Sequence, residues 1–133
     1  MNIVLQVGVK ALLRNPQGKY LLIKRSSENY RGMWDIAGGR INPGSSLLEN
    51  LAREIKEETG LILVDKPRLI AAQDIMPNAE KHIVRLTYIA DIQGEPKLDT
   101  QEHVAYQWLT LEEIKQMEDL DYYFKQVLEE MSE

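Results

Sequence analysis

GGRINPGSSLLENLAREIKEETGL, residues 38–61, is the stretch on which the reading of this chain turns. Gly38-Gly39 opens it, and Pro43-Gly44 follows closely, a density of glycine and proline that reads as loop rather than helix. The helix signal begins at Ser46. Ser46-Leu47-Leu48-Glu49 has the form of a capping box, in which the hydroxyl bonds the backbone of the third helical residue and the carboxylate reaches back. Leu47, Leu48, Leu51, Ala52 and Ile55 supply an apolar stripe, and Gly60 stands where a left-handed cap would end the helix. On that helix Glu54, Glu57 and Glu58 fall within an arc of about 100°. The stripe centres a quarter turn away, so docking it on a sheet would leave the carboxylates along the seam. Like charges at i, i+3 and i+4 oppose one another by a few tenths of a kcal/mol per pair, so a cation nearby is expected. The chain has no cysteine, and histidine occurs only at 82 and 103. An oxygen-only donor set of this kind suits a hard ion such as Mg²⁺. On its own, however, a glutamate-rich helix face is more often simply solvated.

Outward from the helix, Ile3, Leu5, Val7 and Val9 alternate within a strand over 3–14. Asn15-Pro16-Gln17-Gly18 suits a type I turn, and 19–25 returns as the second strand of a hairpin. A polar loop follows over 26–33, then a short extended piece at 34–36. Downstream, 68–76 and 82–92 read as strands joined through Pro77-Asn78-Ala79-Glu80. Residues 94–102 read as a polar loop and 104–109 as a strand. Thr110 with Glu113 repeats the capping box, and 121–131 reads as a last helix. No repeat or linker interrupts the chain, and the expectation is a single domain over 1–133 with a mixed sheet and few helices.

Composition narrows the function classes. At 133 residues and 15.3 kDa, with 44% hydrophobic and 28% charged residues, the chain is of ordinary globular make-up. The lack of cysteine excludes a disulfide scaffold, a thiolate metal site and a cysteine nucleophile. Apolar runs such as Leu61 to Val64 are too short to span a bilayer and no signal-peptide pattern follows Met1, so a soluble cytoplasmic protein without membrane partners is expected. A net charge of −5 disfavours binding to extended nucleic acid but not to a small phosphorylated ligand, provided a cation mediates the contact.

Residues 39–61 resemble the Nudix box, whose form is Gly, five residues, Glu, seven residues, then Arg-Glu-aliphatic-any-Glu-Glu-any-Gly-aliphatic. Gly39, Arg53, Glu54, Ile55, Glu57, Glu58, Gly60 and Leu61 match. The box expects a glutamate at 45, where it pairs with the arginine and supports the loop; this chain has Ser45, which leaves Arg53 to pair elsewhere, for instance with Glu49. Ala37 stands where many relatives have proline. Looser resemblance extends to Leu21–Arg25, to Trp34 upstream of the box, and to Glu102 with Trp108–Glu113. The fold it implies is an α/β (α+β) arrangement, the Nudix-type α/β/α sandwich around a mixed β-sheet.

The resemblance also implies a chemistry: hydrolysis of a nucleoside diphosphate linked to another group, by water attack on phosphorus. Its cofactor is Mg²⁺, with Mn²⁺ as the other ion. Glu54, Glu57 and Glu58 would hold the metal, with the Gly38 carbonyl as a backbone ligand. The implied catalytic set is Glu57, Glu102 and Arg53: either glutamate as the base, Glu102 alternatively as a metal ligand, and Arg53 orienting the glutamates. For substrate binding it suggests Arg25 on a phosphate, and Tyr30 or Trp34 against a base, with Tyr88 also considered; aromatic residues dominate cores, and at least two of these three are expected there. His82 and His103 are weak candidates. The substrate expected first is a nucleoside triphosphate or similar small nucleotide. An ADP-ribose or nucleotide-sugar diphosphatase is the runner-up, because Pro77 lies sixteen residues beyond Leu61. A non-catalytic nucleotide-sensing module is the reading of another class. Tyr122, Tyr123, Phe124, Val127 and Leu128 would either pack internally or support a dimer, leaving monomer or homodimer open.

Overall fold

The computed structural model describes residues 2–26, 32–98 and 103–131. Its strands are β1 (Val4–Arg14), β2 (Tyr20–Arg25), β3 (Trp34–Asp35), β4 (Ala37–Arg40), β5 (Ile62–Leu63), β6 (Arg68–Asn78), β7 (Lys81–Gln93) and β8 (His103–Leu109). Its helices are α1 (Leu47–Thr59), α2 (Leu111–Lys115) and α3 (Tyr122–Glu130). The long parallel pairing of β1 with β7, Val4↔Lys81 through Arg14↔Asp91, forms the spine. On its other side β1 meets β2 only near the hairpin, at Arg14↔Tyr20, and β4 farther along, at Ala11↔Ala37 through Gly8↔Arg40. β2 in turn pairs with β8 and with β3, and β7 with β6 and β5, all antiparallel.

Alternation along β1 sorts the core into two layers, as the two faces of a strand require. Val9, Ala11 and Leu13 pack with Leu21, Ile23, Ala90 and Ile92 beneath Leu51 and Ile55 of α1. Leu12, with Leu22, Trp34 and Ile36, packs beneath Ile114 of α2 and Phe124, Val127 and Leu128 of α3. The expected α/β/α sandwich around a mixed sheet is therefore what the chain forms. The apolar residues Phe124, Val127 and Leu128 are spent internally, while Tyr122 stays exposed. No helix among the described residues is long and apolar enough to cross a membrane.

Both capping boxes form: the Ser46 hydroxyl accepts from Glu49 N and the Thr110 hydroxyl from Glu113 N, with each carboxylate returning to the cap backbone. Gly60 ends α1 at φ 71°. The buried stripe of α1 is narrower than the sequence suggests, because Leu47 and Ala52 face solvent, and it takes in Glu58 and Thr59.

Three boundaries differ from the sequence reading. Gly38-Gly39 is not the start of a loop but the middle of β4, since pairing with β1 outweighs the weak strand preference of glycine. Pro77-Asn78 lies in β6 rather than in the turn; a register irregularity between Ile75 and Asn78 absorbs the proline, which has no ladder donor. The short β5 at Ile62–Leu63, too brief to show a period, exists because Gln93 and Ile92 of β7 offer it an edge.

At Gly38 the backbone has φ 148°, and a Cβ there would lie 2.1 Å from Val9 O and 2.7 Å from Lys10 Cα. Relief would require β1 and β4 to separate. Gly38→Ala is expected to cost more than about 3 kcal/mol, a backbone clash rather than a propensity effect. A urea midpoint unchanged from the parent protein would refute that account.

Candidate functional site

α1 carries its glutamates at three depths. Glu57 faces solvent with its side chain 60% exposed, Glu54 lies against β4 at 13%, and Glu58 is buried at 9%. All three line one cleft beside the sheet, at unequal depth: Glu58 is the one that lies on the core side of α1. Its Oε1 accepts a hydrogen bond from Gly38 N at 2.9 Å. Burial pushes the Glu58 carboxyl up to about 7, against the opposing pull of the Gly38 N–H and of the Lys10 charge. Glu54 can approach because position 39 has no side chain; a Cβ there would stand 2.6 Å from Glu54 Oε1.

Arg53 gathers the outer two carboxylates. Its Nη1 donates to Glu54 Oε2 at 2.9 Å and to Glu57 Oε1 at 3.3 Å. Glu49, the partner suggested for Arg53, is occupied instead by the capping box, where its Oε1 accepts from Ser46 N at 2.8 Å. That bond holds the Glu49 carboxyl below its usual range.

The glutamates open onto a cleft of about 430 Å³ whose floor is β1 and β7. Gly38, Gly39, Glu54, Glu57 and Glu58 line it together with five cationic side chains, Lys10, Arg25, Arg40, Lys81 and Arg85. Lys10 and Arg25 converge on buried Asp35, at 2.9 Å and 3.2 Å to the same Oδ2. Burial opposes ionisation of Asp35, but Lys10 and Arg25 outweigh it and hold the carboxyl below its usual value. Burial lowers Lys10 from the ordinary lysine value, with the charge of Asp35 resisting. Arg85 lies 5.5 Å from the Tyr123 ring and 3.6 Å from Asp121 Oδ2, the residue that caps α3. Burial, then the charge of Asp35, raises the Asp121 carboxyl. A second cleft of about 440 Å³ lies at the far end of the hairpin, lined by Arg14, Asp65 and Asp91 among others, and takes in none of the box residues.

Of the residues singled out from sequence, the fold brings Glu54, Glu57, Glu58, Gly38 and Arg25 to the cleft, with Arg53 bonded to its outer glutamates. Trp34 is not there. It is buried in the layer beneath α3, with Lys24 Nζ 6.0 Å from its ring, and Tyr88 is buried beneath α1. His82 pairs with Asp74 on an exposed stretch of β6 and β7, and His103 is buried in β8. Tyr30 and Glu102 lie outside the described residues. Sequence reasoning did not pick out Lys10, Asp35, Asn50 or Arg85. Lys10 between Val9 and Ala11, and Asp35 between Trp34 and Ile36, each carried a signal, a single charge inside an apolar strand that needs a partner.

The donor set is all oxygen, and the glycine at 39 clears room for a carboxylate over β4, both of which fit a hard divalent cation. As arranged, Glu58 turns inward while Arg53 holds the other two, and among the described residues no three acidic or histidine side chains are grouped closely enough to hold a metal ion.

A family model described as NUDIX domain matches residues 4–130. The chain is similar to the ADP-ribose pyrophosphatase of Methanocaldococcus jannaschii, at 36% identity over 76 residues, 57% of this chain and 45% of that protein. The match thus spans less than half the length of that curated relative. It is also similar to the CTP pyrophosphohydrolase of Escherichia coli strain K12, at 29% identity over 111 residues, 83% of this chain and 80% of that one. Among solved structures, the MutT protein from Methanosarcina mazei Go1 matches with a TM-score of 0.84 and 34% identity, covering 98% of this chain and 94% of that one.

A carboxyl raised from 4.5 to about 7 binds its proton more tightly in the folded than in the unfolded chain. The stability this provides is complete below pH 4.5 and is lost as pH climbs through 7. Glu58→Gln, which keeps an acceptor for Gly38 N–H, escapes that loss. With chelator present it is expected to exceed the parent in stability by roughly 2–3 kcal/mol at pH 8, with the gain fading by pH 5. Urea unfolding at the two pH values measures it, and equal gains at both would remove burial of the charge as the cause.

Proposed function

Because the chain belongs to the NUDIX family, we propose that it is a Mg²⁺-dependent hydrolase that cleaves a phosphoanhydride bond in a nucleoside triphosphate or related small nucleotide. The observation that carries this reading is the meeting of Glu54, Glu57 and Glu58 with Lys10, Arg25, Arg40, Lys81 and Arg85 on one cleft. Three carboxylates alone would repel a polyphosphate; beside five cations, they suit one that arrives with divalent ions.

Glu54, Glu57 and Glu58 would hold Mg²⁺, with the Gly38 carbonyl as a backbone ligand and Mn²⁺ as an acceptable substitute. When bound, such ions supply charge that stabilises phosphoryl oxygens and lowers the pKa of water. The chain's own residues do the rest. Arg25, tied to Asp35 and lining the cleft, is the guanidinium proposed to meet a phosphate. Arg53 keeps Glu54 and Glu57 side by side. In the alternative division of roles, Glu57, the most exposed of the three, takes a proton from the attacking water instead of holding metal; Glu102 is the other base candidate. Water adds to one phosphorus, the bridging P–O bond breaks, and the departing phosphate leaves with that bond's electrons. Phosphoryl transfer of this kind asks the protein mainly for positioning and charge neutralisation.

A second reading, cleavage of ADP-ribose or a nucleotide sugar, is supported by the name of the Methanocaldococcus relative. A turnover panel of canonical and oxidised nucleoside triphosphates, ADP-ribose and nucleotide sugars, resolved by anion-exchange chromatography, separates the two. Glu57→Gln and Glu58→Gln are each expected to lower turnover by about 10²-fold or more while the protein stays folded, and EDTA to abolish it. Wild-type rates in both variants would overturn the metal assignment. Tight nucleotide binding without product from any substrate would favour a sensing module.

A further inference from the structure

Asn50 is buried at 1% exposure on α1, one turn before Arg53. Its side chain is fully engaged. Oδ1 accepts from Asn42 N at 2.7 Å and from Arg53 Nη2 at 2.8 Å. Nδ2 donates to Ser46 O at 2.8 Å and Ser45 O at 3.2 Å, with Asn42 O at 3.4 Å. These partners fix the orientation of the amide: turned over, it would set an NH₂ against a guanidinium and a backbone N–H, and an oxygen against carbonyls. Asparagine is a poor residue for a helix interior, because its amide competes for backbone groups. Here that competition is put to use, tying the 42–46 loop to the first turn of the helix.

The contact divides Arg53 into an anchored arm and a working arm. Nη2 is held by Asn50 Oδ1 and by Arg40 O at 3.3 Å. Nη1 faces Glu54 and Glu57. The Arg53 side chain is 31% exposed, and an ion pair that open to water fixes little by itself. The bond to a buried, immobilised amide oxygen is the stronger restraint.

We infer that Asn50 is a positioning residue for the metal-binding glutamates: by clamping Arg53 it fixes Glu54 and Glu57, and it fills the part that Ser45 is too short and too exposed to play. The inference rests on the proposed reading of those glutamates as metal ligands; the clamp itself does not. Ser45 O accepts from the same Asn50 amide at 3.2 Å, so position 45 adjoins the clamp, and a carboxylate introduced there is the candidate for a rescue.

The test compares Asn50→Ala, Ser45→Glu, their combination and Glu57→Gln in the full chain, using Mg²⁺ titration calorimetry, kcat and KM, and the ¹⁵N signals of the Arg53 guanidinium. Asn50→Ala is expected to weaken Mg²⁺ binding and lower kcat by roughly 10–100-fold, with nucleotide KM little changed and the slow-exchanging Arg53 signals lost. Adding Ser45→Glu is expected to restore affinity and kcat, whereas Ser45→Glu alone stays within about twofold of the parent, because the clamp is already filled. Parent-like Mg²⁺ binding and kcat in Asn50→Ala would overturn the inference, as would losses that Ser45→Glu does not repair. If Asn50→Ala does not fold, Ser45→Glu alone decides: a gain of about tenfold or more in Mg²⁺ affinity would mean Arg53 was never anchored. Undiminished Mg²⁺ binding by Glu57→Gln would instead sink the metal reading. The Arg53 signals report the clamp without any metal, so the two failures are distinguishable.

Discussion

The absence of two β-carbons, at 38 and 39, is the constraint from which the site follows. β4 lies so close to β1 that a side chain at 38 would penetrate the Val9 carbonyl, and the carboxylate of Glu54 occupies the space a side chain at 39 would take. Close approach on both faces puts the Gly38 N–H against Glu58 and brings the acidic side of α1 over the edge of the sheet. The loop from Ile41 to Ser46 then has only a short distance to span, and it is held by the Ile41 N–H to Val7 O and by the Asn50 amide.

Around that contact the protein concentrates charge that it does not fully neutralise locally. Asp35 is buried between Lys10 and Arg25, and Glu58 is buried near Lys10. Buried ion pairs seldom add net stability, since desolvation consumes most of the attraction. Their value in this molecule is geometric: the pair fixes Lys10 and Arg25 on the cleft floor at the level of the glutamates. Glu58 likewise gives up stability at neutral pH, because burial raises its carboxyl to about 7.

The three glutamates differ in kind as well as in place. One is buried and carries a raised pKa, one is shielded beneath an arginine, and one faces water. A single helical spacing thus yields three electrostatic environments within little more than one turn of helix.

Sequence determined the helix and its ends. Ser46, Glu49, Leu51, Ile55 and Gly60 act through local geometry, so their reading needs no knowledge of the rest of the chain, and the spacing of Arg53, Glu54, Glu57 and Glu58 after Gly39 pointed to the family and its sandwich. The β1–β2 hairpin was legible for the same local reason. Tertiary structure alone decided that Gly38-Gly39 is strand, that Trp34 is core, and that Glu58 is buried, because each depends on what packs against it from a distant segment. The partners of Arg53 show the limit most clearly. Glu49 and Asn50 lie at almost equal sequence distance from it, but the capping box claims the first and burial immobilises the second. Lys10 and Asp35 announced that each needed a counter-charge, and only the fold, which closes a sequence separation of 25, could say which one.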